Sequence, residues 1–229
     1  MRVKVVGIDG CAAIDGPAVV IDVLRAYTVA AWAFEVGATR IVLSNDIDEA
    51  LRLKAELGAV AINDGAPDGK FDLMNSPDEV AAASLAGREI VLRTAAGTAG
   101  AVAARHAPLL FCTGLVSAKA TARALLAIGV DDVTLVATGG DDDVACADYL
   151  TALFDDDDAD ARPFVERAST SEIAEALRGY VRRGHPGVGA RDVDLCLEVD
   201  RFDFAMRAID QSGRLTLVRC DQDGRAAGK

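Results

Sequence analysis

Short runs of Val, Ile and Leu alternate with longer Ala-rich stretches from the start of the chain to about residue 154. The short runs, at 3–8, 18–21, 39–43, 59–62, 89–92, 109–111 and 132–137, read as strands bounded by turn residues. Most are followed by a stretch that reads as a helix, at 25–36, 47–57, 99–106, 117–128 and 144–154. Gly37 and Gly58 stand just past two of these helices, where a left-handed residue usually closes the last turn. Another helix starts at Ser76-Pro77. Ser is the expected cap, Pro suits the first helical position, and Asp78 and Glu79 complement the dipole. Repeated strand-helix alternation predicts an α/β fold, a largely parallel sheet with helices on both faces.

Beyond residue 154 the pattern changes. Asp155-Asp-Asp-Asp158 reads as a solvated loop without the spacing of a calcium-binding loop. Residues 171–180 read as a helix and Gly184-His-Pro-Gly-Val-Gly189 as a turn-rich loop. Residues 193–199 and 214–219 read as strands joined across Gln211-Ser-Gly213, and 223–229 as a frayed end. The expected division is an α/β core over 1–160 that carries the site, and a smaller C-terminal α/β part, 161–229, packed on it.

Composition narrows the function. The 229 residues are 51% hydrophobic, only 5% aromatic, and carry a net charge of −12. A nucleic-acid-binding surface needs a basic stripe, and anionic membranes repel such a chain. Five cysteines, Cys11, Cys112, Cys146, Cys196 and Cys220, include no closely spaced pair and read as small core residues. Cys112, at a strand end, is the one candidate for a reactive thiol. Met1-Arg-Val-Lys leads straight into a strand, and no apolar run is long enough to span a bilayer. The expectation is a cytoplasmic protein with reduced thiols, free to form a homo-oligomer.

Ligands bind open α/β sheets outside the carboxyl ends of the strands. Three polar clusters stand at such ends: Asp22-Val-Leu-Arg25, Thr94-Ala-Ala-Gly97-Thr98 and Gly139-Gly-Asp-Asp-Asp143. Asp22 ends a buried strand, where an uncompensated carboxylate is costly. Arg25 is a cation at a helix start, best explained by an anionic partner. Thr94, Gly97 and Thr98 can offer amides and hydroxyls to an anion, or simply cap a helix. Asn75-Ser76 is a helix cap first and an anion contact second. Asp142 and Asp143 suit a helix N-terminus, and equally supply oxygens for Mg²⁺. His106 and His185 are isolated and read as surface or loop histidines.

Taken in order, these clusters resemble the 2-phosphosulfolactate phosphatase family. Asp22-Val-Leu-Arg-Ala26, Asn75-Ser-Pro77, Arg93-Thr94 with Gly97-Thr98, the helix at Ser117, and Asp142-Asp143 carry the likeness, and Asp192-Val-Asp-Leu-Cys196 extends it. The resemblance implies a Mg²⁺-dependent hydrolase, of the kind used in coenzyme M biosynthesis, that removes phosphate from a small anionic phospho-acid. It implies Asp22, Arg25, Thr94 and Thr98 as catalytic residues and Asn75, Ser76, Gly97 and Ser117 as substrate contacts. Asp22, Asp142 and Asp143 would hold the metal. Ala96 stands where the family has Asn, and Ser117 where it has Asn. Those changes motivate a rival reading, a non-catalytic member that binds small anions or acts as an oligomer.

Overall fold

A computed structural model describes residues 1–65 and 67–225. Of the expected frayed end, 226–229 lie outside the described residues. The first half of the sheet is built by β1 (Arg2–Val6), β2 (Ala18–Ile21), β7 (Leu110–Thr113) and β8 (Asp132–Ala137), in the order β1-β8-β2-β7, all parallel. The second half is β3 (Arg40–Ser44), β4 (Val60–Asn63), β5 (Leu73–Met74) and β6 (Glu89–Arg93), in the order β3-β6-β4-β5, again parallel.

Two late strands join the halves into one ten-stranded sheet. β9 (Ala205–Gln211) lies against β7 and β10 (Arg214–Cys220) against β3, and all three pairings at this seam are antiparallel. Three reversals in succession make β3 run opposite to β7. The sheet is therefore mostly parallel, as its alternating pattern predicts, but its two parallel halves point in opposite directions.

Helices cover both faces. On one face α1 (Ala26–Glu35), α3 (Pro77–Ala81) and α4 (Gly97–Ala103) bury Val20, Ile41, Leu43, Ile90 and Leu92. On the other, α5 (Ala118–Ile128) and α6 (Asp141–Asp155) bury Val19, Ile21 and Leu135, while α2 (Ile47–Leu57) covers Val42, Ala61 and Val91. Neighbouring residues such as Val19 and Val20 thus pack in different cores, as strand alternation requires. The expected caps form: the Asp46 and Ser76 side chains accept from the amides three residues on, and Gly58 closes α2 in the left-handed region.

The C-terminal part adds α7 (Arg162–Ser169), α8 (Glu172–Arg182) and α9 (Asp192–Cys196). One expectation is corrected here. Residues 193–199, read as a strand from the alternation of Val193, Leu195, Leu197 and Val199, contain the short helix α9 instead. Val193 is buried against Ala174 and Leu177 of α8 and Cys196 in the core under α5 and α6, so one helical turn serves two clusters. The strand that pairs with β10 across Gln211-Ser-Gly213 is β9.

Candidate functional site

β2 is buried along its whole length and delivers Asp22 to its carboxyl end, only 6% exposed. Asp22 Oδ1 accepts from the Ala26 amide at 2.9 Å, tying the carboxylate to the start of α1. The Gly97 amide, at the start of α4, also donates to it. A Cβ on residue 97 would lie 2.6 Å from both Asp22 Oδ2 and the Ala26 Cβ, so only glycine permits this approach. Tyr27 fastens the same junction from α1, donating its hydroxyl to the Gly97 carbonyl at 2.7 Å. The third turn joins through Asp143. Its Oδ1 accepts from the Val23 amide at 2.8 Å, and its Oδ2 from the Gly139 amide at 2.7 Å and Thr138 Oγ1 at 3.2 Å. The turns after β2, β6 and β8 therefore meet, although β6 belongs to the half that runs the other way. The first two meet where α1, which follows β2, packs against α4, which follows β6.

The result is a cluster of carboxylates with no cation inside it among the described residues. Burial pushes the Asp22 carboxyl up to about 6, with the charges of Asp142 and Asp64 adding to the rise and the Ala26 and Gly97 amides opposing it. Burial likewise drives Asp143 well above the usual carboxylate range, reinforced by Asp22 and Asp142. Asp142 is raised by burial too, against the Ser171 hydroxyl and the Leu24 amide. Its Oδ1 is buried and has no hydrogen-bond partner among the described residues.

Arg25, 7% exposed, turns away from this cluster. Its Nη1 donates to Asp192 Oδ2 at 2.6 Å and to the Gly187 carbonyl at 3.1 Å, and its Nη2 lies 3.7 Å from Asp64. Asp192 is fully buried and collects donors from three parts of the chain. Besides Arg25 it accepts from Ser76 Oγ at 2.6 Å, the Asp78 amide at 3.1 Å and the Gly189 amide at 2.9 Å. The loop after α8 is thereby pinned over the strand ends. Between them lies a cavity of about 450 Å³ with Asp22, Arg25, Asp64, Asn75, Thr94 and Ala96 along one side. Asn75 is 3% exposed and its Oδ1 has no partner among the described residues.

Comparison with known proteins matches residues 8–210 to the family described as 2-phosphosulpholactate phosphatase. The chain belongs to the 2-phosphosulfolactate phosphatase family. A probable 2-phosphosulfolactate phosphatase of Bacillus subtilis is 32% identical over 208 residues, 87% of this chain and 90% of that protein. One from Deinococcus radiodurans is 36% identical over 198 residues, 80% of this chain and 81% of its own. Another from Carboxydothermus hydrogenoformans is 32% identical over 218 residues, covering 89% and 90%.

In this member of the 2-phosphosulfolactate phosphatase family the expected site residues fall into two groups. Asp22, Arg25, Thr94 and Asn75 line the cavity, and Asp142 lies close enough to Asp22 for their charges to interact. The others are used up by the fold. Thr98 is fully buried with its hydroxyl bound to the Thr94 carbonyl and amide, at 2.7 and 2.9 Å, in reciprocal capping of α4. Ser117 is fully buried against Thr113 Oγ1 at 3.0 Å, away from the cavity lining. Ser76 caps α3 and holds Asp192. Gly97 makes room for the protein's own carboxylate. Asp143 has three donors, which leaves Asp142 as the member of that pair with an uncommitted oxygen. Cys112 is buried and its thiol is pushed up to about 12 by burial, which removes it as a nucleophile.

Sequence reasoning missed Asp192, Asp64 and the loop at His185. Asp192 stood inside a motif already singled out, but reading that segment as a strand hid its role. Gly97→Ala is expected to destabilise the fold by about 1–3 kcal/mol, because the added methyl overpacks Asp22 and Ala26. Urea melts of the two proteins measure the difference.

Proposed function

We propose that this chain is a Mg²⁺-dependent phosphatase that hydrolyses a small 2-phospho acid of the kind its relatives are named for. The observation that carries the reading is the Asp22–Asp142–Asp143 cluster, buried, mutually repelling and, among the described residues, without a cation, beside a cavity that Arg25 also lines. A divalent cation fits that charge. Among the described residues no three His, Cys, Asp or Glu side chains form a ready-made metal cage. Mg²⁺ needs only one or two carboxylates when waters and phosphate oxygens complete its shell. The uncommitted Asp142 oxygen and the Asp22 carboxylate are the groups that would hold it. Bound there, the metal would neutralise phosphoryl charge and lower the barrier to attack by water.

The chain's own residues supply the rest. Arg25 presents its remaining N–H groups to a substrate carboxylate or phosphate. Thr94 and the Asn75 amide offer donors to phosphoryl oxygens from buried positions at the cavity. The loop pinned by Asp192 keeps that side of the cavity closed. In the net reaction a P–O ester bond breaks, water adds to phosphorus, and the alcohol leaves with a proton.

Phosphate release from 2-phosphosulfolactate, followed with and without Mg²⁺, tests the reading. Turnover should appear with Mg²⁺ and vanish on chelation. Ala96 lines the cavity and contributes no polar side-chain group, which favours one rival, an anion binder without turnover. Calorimetric binding of phosphate with no release from any ester would establish the rival.

A further inference from the structure

Breaking the P–O ester bond of a 2-phospho acid expels a strongly basic alkoxide unless a proton reaches the departing oxygen as the bond lengthens. A side chain that supplies this proton contributes about 10²–10⁴-fold to turnover. Along the cavity, Asp22, Asp64, Tyr180 and His185 carry groups that can hold a transferable proton. Asp22 is the carboxylate that would hold the metal, and Asp64 lies 3.7 Å from the Arg25 guanidinium as an ion-pair partner. Phenols ordinarily keep their proton to about pH 10, whereas an imidazole exchanges one at about pH 6.5. By its chemistry histidine is the fit donor.

The loop after α8 holds His185 in place. Its amide donates to the Tyr180 carbonyl at 2.9 Å. Its ring packs on the Tyr180 ring with centroids 4.9 Å apart, and the Arg183 guanidinium lies 5.1 Å from the centre of that same Tyr180 ring. His185 Nδ1 lies 2.8 Å from the Pro186 carbonyl, which can only accept, so Nδ1 carries a proton. Nε2 has no partner among the described residues and is the ring atom left for chemistry. The titratable and charged groups around the ring are Tyr180 and Arg183 of α8, with Asp22, Arg25 and Asp64 lining the same cavity. His185 is also exposed, so solvent can restore its proton after each turnover.

We propose that His185 is the general acid of the phosphatase reaction, its Nε2–H handing a proton to the ester oxygen of the 2-phospho acid as phosphate departs. This role rests on the phosphatase reading above. The P–O bond breaks with its electron pair going to the ester oxygen, that oxygen takes the proton from Nε2, and a water oxygen bonds to phosphorus. The proton shed by that water returns through solvent to the neutral imidazole, so the products are the alcohol and hydrogen phosphate. The test compares kcat, with Mg²⁺, on 2-phosphosulfolactate and on its analogue with sulfur as the bridging atom. A thiolate leaves without a proton, since thiols ionise at about pH 8.5. His185→Asn keeps an N–H for the Pro186 carbonyl, and His185→Gln places an amide near where Nε2 stood, but neither amide gives up a proton. Both variants should lose about 100-fold or more on the oxygen ester and stay within about threefold of the wild type on the sulfur ester. The ratio of the two rates on one preparation does not depend on how much of the protein is folded, so a weakened variant still reports. Equal losses on both esters, as a nucleophile or a merely structural residue would give, overturn the role. So does full activity of either variant on the oxygen ester, or a sulfur ester that the wild type leaves intact. Each of these leaves the phosphatase reading standing. No phosphate from the oxygen ester in the wild type overturns that reading, and this one with it.

Discussion

Asp22→Asn is expected to abolish Mg²⁺-dependent phosphate release and to raise the melting temperature of the metal-free protein. The carboxyl is held at about 6 against an ordinary 3.8, chiefly by burial. Between those values the folded protein binds more protons at this site than the unfolded chain does. Its contribution to stability therefore falls as pH rises from about 4 to 6, and the full cost stands above pH 6. Two pKa units correspond to about 3 kcal/mol. Asparagine removes the charge and keeps an oxygen for the Ala26 amide. It loses the second acceptor at Gly97, at about 1 kcal/mol. A net gain of about 2 kcal/mol would raise Tm by roughly 4–8 °C in a chain of this size. Melting curves at several pH values check the sign: the variant's advantage should be largest near pH 8 and disappear as pH falls toward 4. An advantage constant across that range would show that the buried charge is not its source. Loss of the metal-holding group should cost on the order of 100-fold or more in turnover.

Asp192→Ala should be the most damaging single change to the fold. It removes the carboxylate from a buried guanidinium and leaves Ser76 Oγ and the Asp78 and Gly189 amides without their acceptor. Breaking a buried pair in this way costs about 3–5 kcal/mol. Arg25→Ala should cost less, because Asp192 keeps its three other donors. Both should depress turnover, the first by releasing the loop at Gly187 and the second by removing the cation itself. Denaturant unfolding of the two variants gives the order directly. Equal losses, or a larger one for Arg25→Ala, would mean that Asp192 does not organise this region.

Local signals in the sequence carried much of the fold. The strands at 18–21 and 132–137 and the helix at 47–57 lie where their apolar runs and caps place them, because those signals are contained within a few residues. The seam was hidden for the opposite reason. Ala-Met-Arg-Ala-Ile-Asp-Gln makes a weak strand on its own, and β9 exists because β7 and β10 flank it. α9 was hidden because apolar residues buried on more than one side imitate strand alternation. The meeting of the Asp22 and Asp143 turns could be expected from their places at the ends of neighbouring parallel strands, but that of Thr94 could not, because β6 runs the other way. Nor could it be expected which of their side chains stay available. Thr98, Gly97 and Asp143 are of the types that bind anions or metals, and only the tertiary contacts reveal that the fold has already engaged them.

The order of the strands bears on how such a chain comes to be made. Both four-stranded halves leave the ribosome before the hairpin of β9 and β10 that stitches them together. Until residue 220 has emerged, β7 and β3 are bare edges, the kind of surface that pairs with whatever strand is nearest. From the completion of β8 at Ala137 until β9 and β10 arrive, the nascent chain therefore carries two half-sheets with open inner edges, and its exposure to aggregation is concentrated in that interval.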